Sequence, residues 1–132
     1  MTYRVFIIDE NEIDLIILKR TVIKSGLHQN PRIFRDGLKA LEHLKLNPLA
    51  NEPVLIFLDI YMPDFSGYDF LELLKTLKID SPAHIIIVTS SVNNSDKKRM
   101  SEYGNVISYI QKPYTLEEIH RAGNLFLEEI LK

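Results

Sequence analysis

With 132 residues and no cysteine, the chain is sized for one domain that buries a core large enough to fold unaided, and it has neither a disulfide framework nor a thiolate site. Its formal net charge of -2 gives no electrostatic reason for nucleic-acid binding. The first residues lack a signal-peptide layout and no apolar stretch approaches a membrane span, so the expectation is a cytoplasmic protein with no membrane partner.

The first apolar run, Val5 to Ile8, predicts a strand that ends on the acidic pair Asp9-Glu10. A helical pattern follows, closed by Gly26 as a left-handed cap. Its Ile13, Leu15, Ile16, Ile17, Leu18, Val22 and Ile23 spread around most of the helical wheel, more than a helix lying on one face of a sheet can bury. Ile33-Phe34 is a weaker strand signal. Val54 to Leu58, bounded by Pro53 and Pro63, reads as a strand buried on both faces, and it ends on Asp59. The turn-forming stretch Ile60-Tyr61-Met62-Pro63-Asp64-Phe65-Ser66-Gly67 would hold that carboxylate at the mouth of a sheet, and Ser66-Gly67-Tyr68-Asp69 starts the third helix. Ile85 to Val88 leads to Thr89 and Ser90, with Asn93, Asn94 or Ser95 able to cap the fourth helix. The basic cluster Lys97-Lys98-Arg99 reads as a solvated face of that helix. Val106 to Ile110 precedes Lys112-Pro113, and Thr115-Leu116-Glu117-Glu118 forms a capping box for the last helix. Five strand–helix units predict an α/β domain, a doubly wound five-stranded parallel sheet with right-handed crossovers.

Asp9, Glu10, Asp59, Thr89, Ser90 and Lys112 thus fall at the carboxyl ends of predicted strands. Neighbouring parallel strands lie only about 4.8 Å apart, so these groups converge on one pocket. Three carboxylates in one place repel one another, and the simplest remedy is a hard divalent cation with a nearby ammonium. Magnesium fits best, with manganese able to take its place, because it binds oxygen and keeps waters that a phosphoryl group can replace. The plainer alternative is a set of acids capping loops through backbone amides. A lysine and a threonine at the matching ends of two other strands argue against it.

The segments FIIDENE at 6–12, DGLKAL at 36–41, LIFLDIYMPDFSG at 55–67, IIIVTSS at 85–91 and YIQKPY at 109–114 resemble, in order and spacing, the receiver domain of two-component response regulators over essentially the whole chain. The resemblance implies a flavodoxin-like strand order 2-1-3-4-5 and a single receiver over 1–132 with no output domain. It implies a signalling protein that catalyses only its own phosphorylation and dephosphorylation. Asp59 would be the phosphoacceptor, taking a phosphoryl group in a magnesium-dependent reaction from a sensor histidine kinase or a histidine phosphotransfer protein. Glu10 and Asp59 would bind the metal directly, with the Tyr61 backbone carbonyl, and Asp9 would hold a metal-bound water. Lys112, Thr89 and Ser90 would bind the phosphoryl group. Thr89 and Tyr109 would form the switch, altering the face of the fourth helix, fifth strand and fifth helix that a protein target reads. Pro63, Gly67 and Pro113 would set loop geometry, the last preceded by a cis peptide. Exposed residues of the first helix would lie where phosphodonor helices dock.

Two departures from the pattern stand out. Glu10 stands where the family usually has aspartate, which puts metal geometry in question; Tyr61 and Ser91 flank the path of the hydrolytic water, and the bulk of Tyr61 points to slow or moderate loss of phosphate. Other readings stay open. A flavodoxin-like cofactor binder would need a phosphate loop after the first strand, where Asp9-Glu10-Asn11-Glu12 repels phosphate. An aspartyl-phosphate phosphatase would place its nucleophile after the first strand and a second acid where Asn11 stands. An interaction module that no longer depends on phosphorylation draws its support from Glu10.

Overall fold

The computed structural model describes residues 2–48, 52–77 and 82–132. The elements alternate as β1 (Arg4–Ile8), α1 (Glu12–Ser25), β2 (Arg32–Phe34), α2 (Gly37–Leu46), β3 (Val54–Leu58), α3 (Gly67–Thr76), β4 (Ala83–Thr89), α4 (Asn94–Ser101), β5 (Val106–Gln111) and α5 (Leu116–Ile130). All pairings are parallel, in the order β2-β1-β3-β4-β5, as expected. The fourth strand runs one residue beyond its apolar run, so Thr89 closes β4 instead of following it.

Strand pleat divides the core in two. Phe6, Ile8, Ile56, Leu58, Ile85 and Ile87 face α2, α3 and α4, meeting Leu41, Leu44, Phe70, Leu71 and Met100. Val5, Ile7, Leu55, Phe57, Ile86 and Val88 face α1 and α5, meeting Leu15, Leu18, Val22, Ile119 and Phe126. A parallel strand covered on both faces has to be apolar at every position, and β3 is buried throughout. On α1, Leu15, Leu18 and Val22 are buried while Ile13 is 68% exposed, Ile16 40% and Ile17 48%. Its surplus of apolar residues therefore lies on the surface. Among the described residues no helix is long and apolar enough to cross a membrane.

The helix starts are fixed by side chains that satisfy otherwise orphaned amides. Reciprocal capping boxes join Ser66 with Asp69, Asn93 with Asp96 and Thr115 with Glu118. Asn11 and Asp36 cap α1 and α2, and Gly26 ends α1 with φ 84°. Gly67 has a different task. Its N–H donates to the Ile60 carbonyl at 3.1 Å, and a Cβ there would stand 2.6 Å from both the Asp59 carbonyl oxygen and the Ile60 Cα. Those neighbours are main chain and cannot swing aside, so only glycine lets α3 dock on the exit of β3. We expect Gly67→Ala to lower unfolding free energy by about 1–3 kcal/mol in urea denaturation, the usual range for overpacking; an unchanged midpoint would show that the loop yields freely.

Candidate functional site

The sheet ladder continues past the strands and sets the site. Asp9 N–H donates to the Phe34 carbonyl (3.1 Å), Asp59 N–H to Ile8 (3.1 Å) and Lys112 N–H to Thr89 (2.8 Å). With Ile8 in register with Leu58, Asp9 and Asp59 stand side by side at the carboxyl end. That is the edge where open α/β sheets bind ligands.

Lys112 gathers the acids. Its Nζ donates to Asp9 Oδ2 at 2.7 Å, to Asp14 Oδ2 at 3.1 Å and, more weakly, to Asp59 Oδ2 at 3.5 Å. The other oxygens are held by main chain: Asp9 Oδ1 accepts from Asn11 N–H (2.9 Å) and Asp59 Oδ1 from Tyr61 N–H (3.0 Å). Asp9 and Asp59 are both buried. Burial is the chief reason the Asp59 carboxyl lies above its ordinary pKa; the Tyr61 amide and the Lys112 charge oppose the shift without cancelling it, and Asp9 adds to it. For Lys112 burial works against the charge, but the hydrogen bonds and charges of Asp9, Asp59 and Asp14 outweigh it and hold the ammonium well above its usual range.

Thr89 is fully buried, and its Oγ1 has no hydrogen-bond partner. An unsatisfied buried hydroxyl is rare enough to call for a reason. Ser90 is exposed and lines, with Lys112, Pro113, Tyr114, Asp14 and Ile17, a cleft of about 520 Å³ between α1 and the start of α5. The Lys112–Pro113 peptide is cis. Tyr109 is exposed on β5, with the Lys97 ammonium 5.9 Å from its ring centre. The basic cluster is solvated as expected, except that Arg99 also stacks on the Tyr68 ring at 3.8 Å. Pro63 is exposed, and its carbonyl accepts from Phe65 N–H at 2.7 Å.

Glu10 stands apart from this group. It is exposed at the rim beside Arg35, whose Nε donates to the Glu10 main-chain carbonyl at 3.1 Å. Among the described residues no three acidic or imidazole side chains stand close enough to hold a metal by themselves. The donors that do meet, the Asp9 and Asp59 carboxylates, are all oxygen. Magnesium characteristically uses one or two carboxylates and keeps waters for the rest, so this donor chemistry suits it.

Two acids at the site were absent from the sequence reading. Asp14 sits in the first turn of α1, five residues after Asp9, and reaches back to Lys112. Asp96 is buried at the start of α4, where its Oδ2 accepts from the Tyr61 hydroxyl (2.6 Å) and its Oδ1 from the Tyr68 hydroxyl (2.9 Å). The Tyr61 hydrogen bond, foremost, holds the Asp96 carboxyl below its ordinary pKa. An available signal for Asp96 was Asn93-x-x-Asp96, a capping-box pattern.

The same fold is seen in a response regulator receiver protein from Dyadobacter fermentans, with a TM-score of 0.82 at 24% identity, over 95% of this chain and 98% of that one. The response regulator receiver domain family matches residues 5–124, and the chain belongs to that family. It is 34% identical over 121 residues to the polar-differentiation response regulator DivK of Brucella ovis, covering 88% of this chain and 89% of the relative. It is 25% identical over 121 residues to the probable methanogenesis regulatory protein FilR2 of Methanothrix harundinacea, covering 89% and 77% respectively.

Because the Asp59 pKa is raised on folding, its ionised carboxylate costs stability at pH above that value. The cost fades as pH falls through the raised pKa and is gone below the ordinary carboxylate value, where folded and unfolded states are both protonated. We therefore expect Asp59→Asn to melt higher than the parent at neutral pH in the absence of divalent ions, with the gap closing in acid. A gap that widened on acidification would refute this balance of burial against Lys112.

Proposed function

We propose that this receiver is a phosphorylatable switch in which Asp59 takes a phosphoryl group from a phosphohistidine on a sensor kinase or phosphotransfer protein. The observation that carries the reading is the flanking of one buried carboxylate by the Lys112 ammonium and an unpartnered buried Thr89 hydroxyl, all at the carboxyl ends of adjoining strands. Phosphoryl transfer asks little of a protein beyond in-line positioning and neutralisation of the equatorial oxygens. An Asp59 oxygen attacks phosphorus, the bond from phosphorus to the donor imidazole nitrogen breaks, and its electron pair leaves with that nitrogen. No general base is required of the chain, because an ionised carboxylate carries no proton to remove. Lys112 would leave Asp14 and Asp9 to bridge a phosphoryl oxygen, and Thr89 and Ser90 would bond others.

Asp59, Asp9 and Glu10, with the Tyr61 main-chain carbonyl, are the residues that would hold magnesium, Asp9 through a water; Glu10 has the added length to turn inward from the rim. A bound divalent cation supplies charge neutralisation across the carboxylates and the incoming phosphoryl group. The cleft beside Lys112, with exposed Ile13, Ile16 and Ile17 on the neighbouring helix, is the approach suited to a donor helix.

Once phosphorylated, the domain would draw the Thr89 hydroxyl toward the phosphoryl group, and the outward Tyr109 ring would move into the space left behind. The α4–β5–α5 face would then change for a protein target. In this reading the chain acts through protein contacts and has no nucleic-acid partner.

We expect acetyl phosphate with magnesium to add one phosphoryl group to the intact protein by mass spectrometry. Asp59→Asn or excess chelator should abolish the addition, and modification persisting in either case would overturn the assignment. In a thermal titration, magnesium at about 100 times its dissociation constant should stabilise the domain by roughly 2.7 kcal/mol, with no such effect from a monovalent salt control. A flat curve that Glu10→Asp restores would trace the defect to the extra methylene. An acyl-phosphate mimic should shift amide resonances from Asp59 out to residues 93–100 and Tyr109, and Thr89→Ala should shrink those shifts; changes confined to the metal loops would favour a relay without a surface switch.

A further inference from the structure

Tyr61 follows β3 and Asp96 opens α4, just after β4, and these two strands are neighbours with Leu58 opposite Ile87. The Tyr61 side chain consequently spans from one connection to the other beside the carboxyl ends that carry Asp59 and Thr89. It is 48% exposed, so packing alone does little to confine it. What confines it lies at its two ends: the backbone N–H bound to Asp59 Oδ1, and the hydroxyl bound to Asp96 Oδ2. Asp96 is itself fixed by the capping box, its Oδ2 accepting from the Asn93 N–H at 3.3 Å and its own N–H donating to Asn93 Oδ1 at 2.8 Å, while the Tyr68 hydroxyl is bound separately on Oδ1.

We propose that Asp96 is a positioning residue for the lifetime of the phosphoryl group on Asp59: by accepting the Tyr61 hydroxyl it fixes that ring across the gap between the β3–α3 and β4–α4 connections and limits the approach of water. This rests on Asp59 being the phosphoacceptor. The step it governs is hydrolysis, in which a water oxygen attacks phosphorus, the bond from phosphorus to the Asp59 oxygen breaks, the electron pair returns to the carboxylate, and the proton of the water leaves with orthophosphate or solvent. A ring free to swing admits that water more often; a ring held at both ends admits it less.

The test is the decay of the phosphorylated protein after acetyl phosphate and magnesium are removed by rapid desalting, followed by intact mass. Tyr61→Phe keeps the ring and loses only the tether. A hydrogen bond to a charged group shifts a local population by about tenfold or more, and the half-exposed position of Tyr61 weakens it, so the lifetime should fall by about three- to tenfold. Asp96→Ala should fall by the same factor, and the double variant no further, since both remove one interaction. Because Asp96 also caps α4, circular dichroism accompanies that variant, and Tyr61→Phe carries the result if α4 frays. Tyr68→Phe removes the other phenol from Asp96 and should leave the lifetime unchanged even where it lowers the melting temperature. An unchanged lifetime in Tyr61→Phe, or an equal fall in Tyr68→Phe, overturns the proposal while the phosphoacceptor stands. Failure of the parent protein to take up phosphate overturns both.

Discussion

One ammonium among three carboxylates is the contact on which the functional end of this molecule depends. Lys112 arrives from β5, at one edge of the sheet, and its Nζ lies 2.7 Å from Asp9 on the far side of β3 and β4. Without a positive charge the buried Asp9 and Asp59 would face each other across neighbouring strands, where charges repel far more strongly than in water. The lysine thus allows two acids to be stored close together, and its weakest contact is with Asp59, the group that would have to react. Three carboxylates against one ammonium leave the cluster with an excess of negative charge.

The rest of the structure serves to keep that arrangement level. Main-chain bonds from Asp9, Asp59 and Lys112 to the neighbouring strands place their Cα atoms by the same ladder that holds the sheet. Gly67 then brings α3 against the exit of β3, and the Asn93–Asp96 box fixes the start of α4.

The sheet and its acids were legible in the sequence because they follow from local rules. Strands buried on both faces must be apolar without interruption, and Asp9, Asp59 and Lys112 stand directly after strands, where their charge marks the strand ends. β4 runs on to Thr89 although its apolar run stops at Val88, because a β-branched polar residue extends a strand as readily as it ends one. Asp14 was passed over because an acid in a first helical turn is ordinary, and only the length of Lys112 makes it a partner. Asp96 was hidden for a related reason: its two phenol partners lie 35 and 28 residues away, a pairing that no spacing announces. The wheel of α1 implied that some of its seven apolar residues stay outside, since one buried stripe cannot hold them all, but it does not single out Ile13, Ile16 and Ile17, which are the ones exposed.

The sheet is also guarded at its β2 edge. That strand has only three residues, two of them exposed, and it begins with Arg32. A passing chain seeking to add itself there would find few free main-chain groups and a charge beside them, too little to repay its own ordering. The hydrophobic run of β3, which as an isolated peptide would be a template for aggregation, is kept two strands away from that edge. At this edge the continuously apolar centre is thus kept out of reach, and a short strand together with its charge disfavours edge-to-edge pairing through β2.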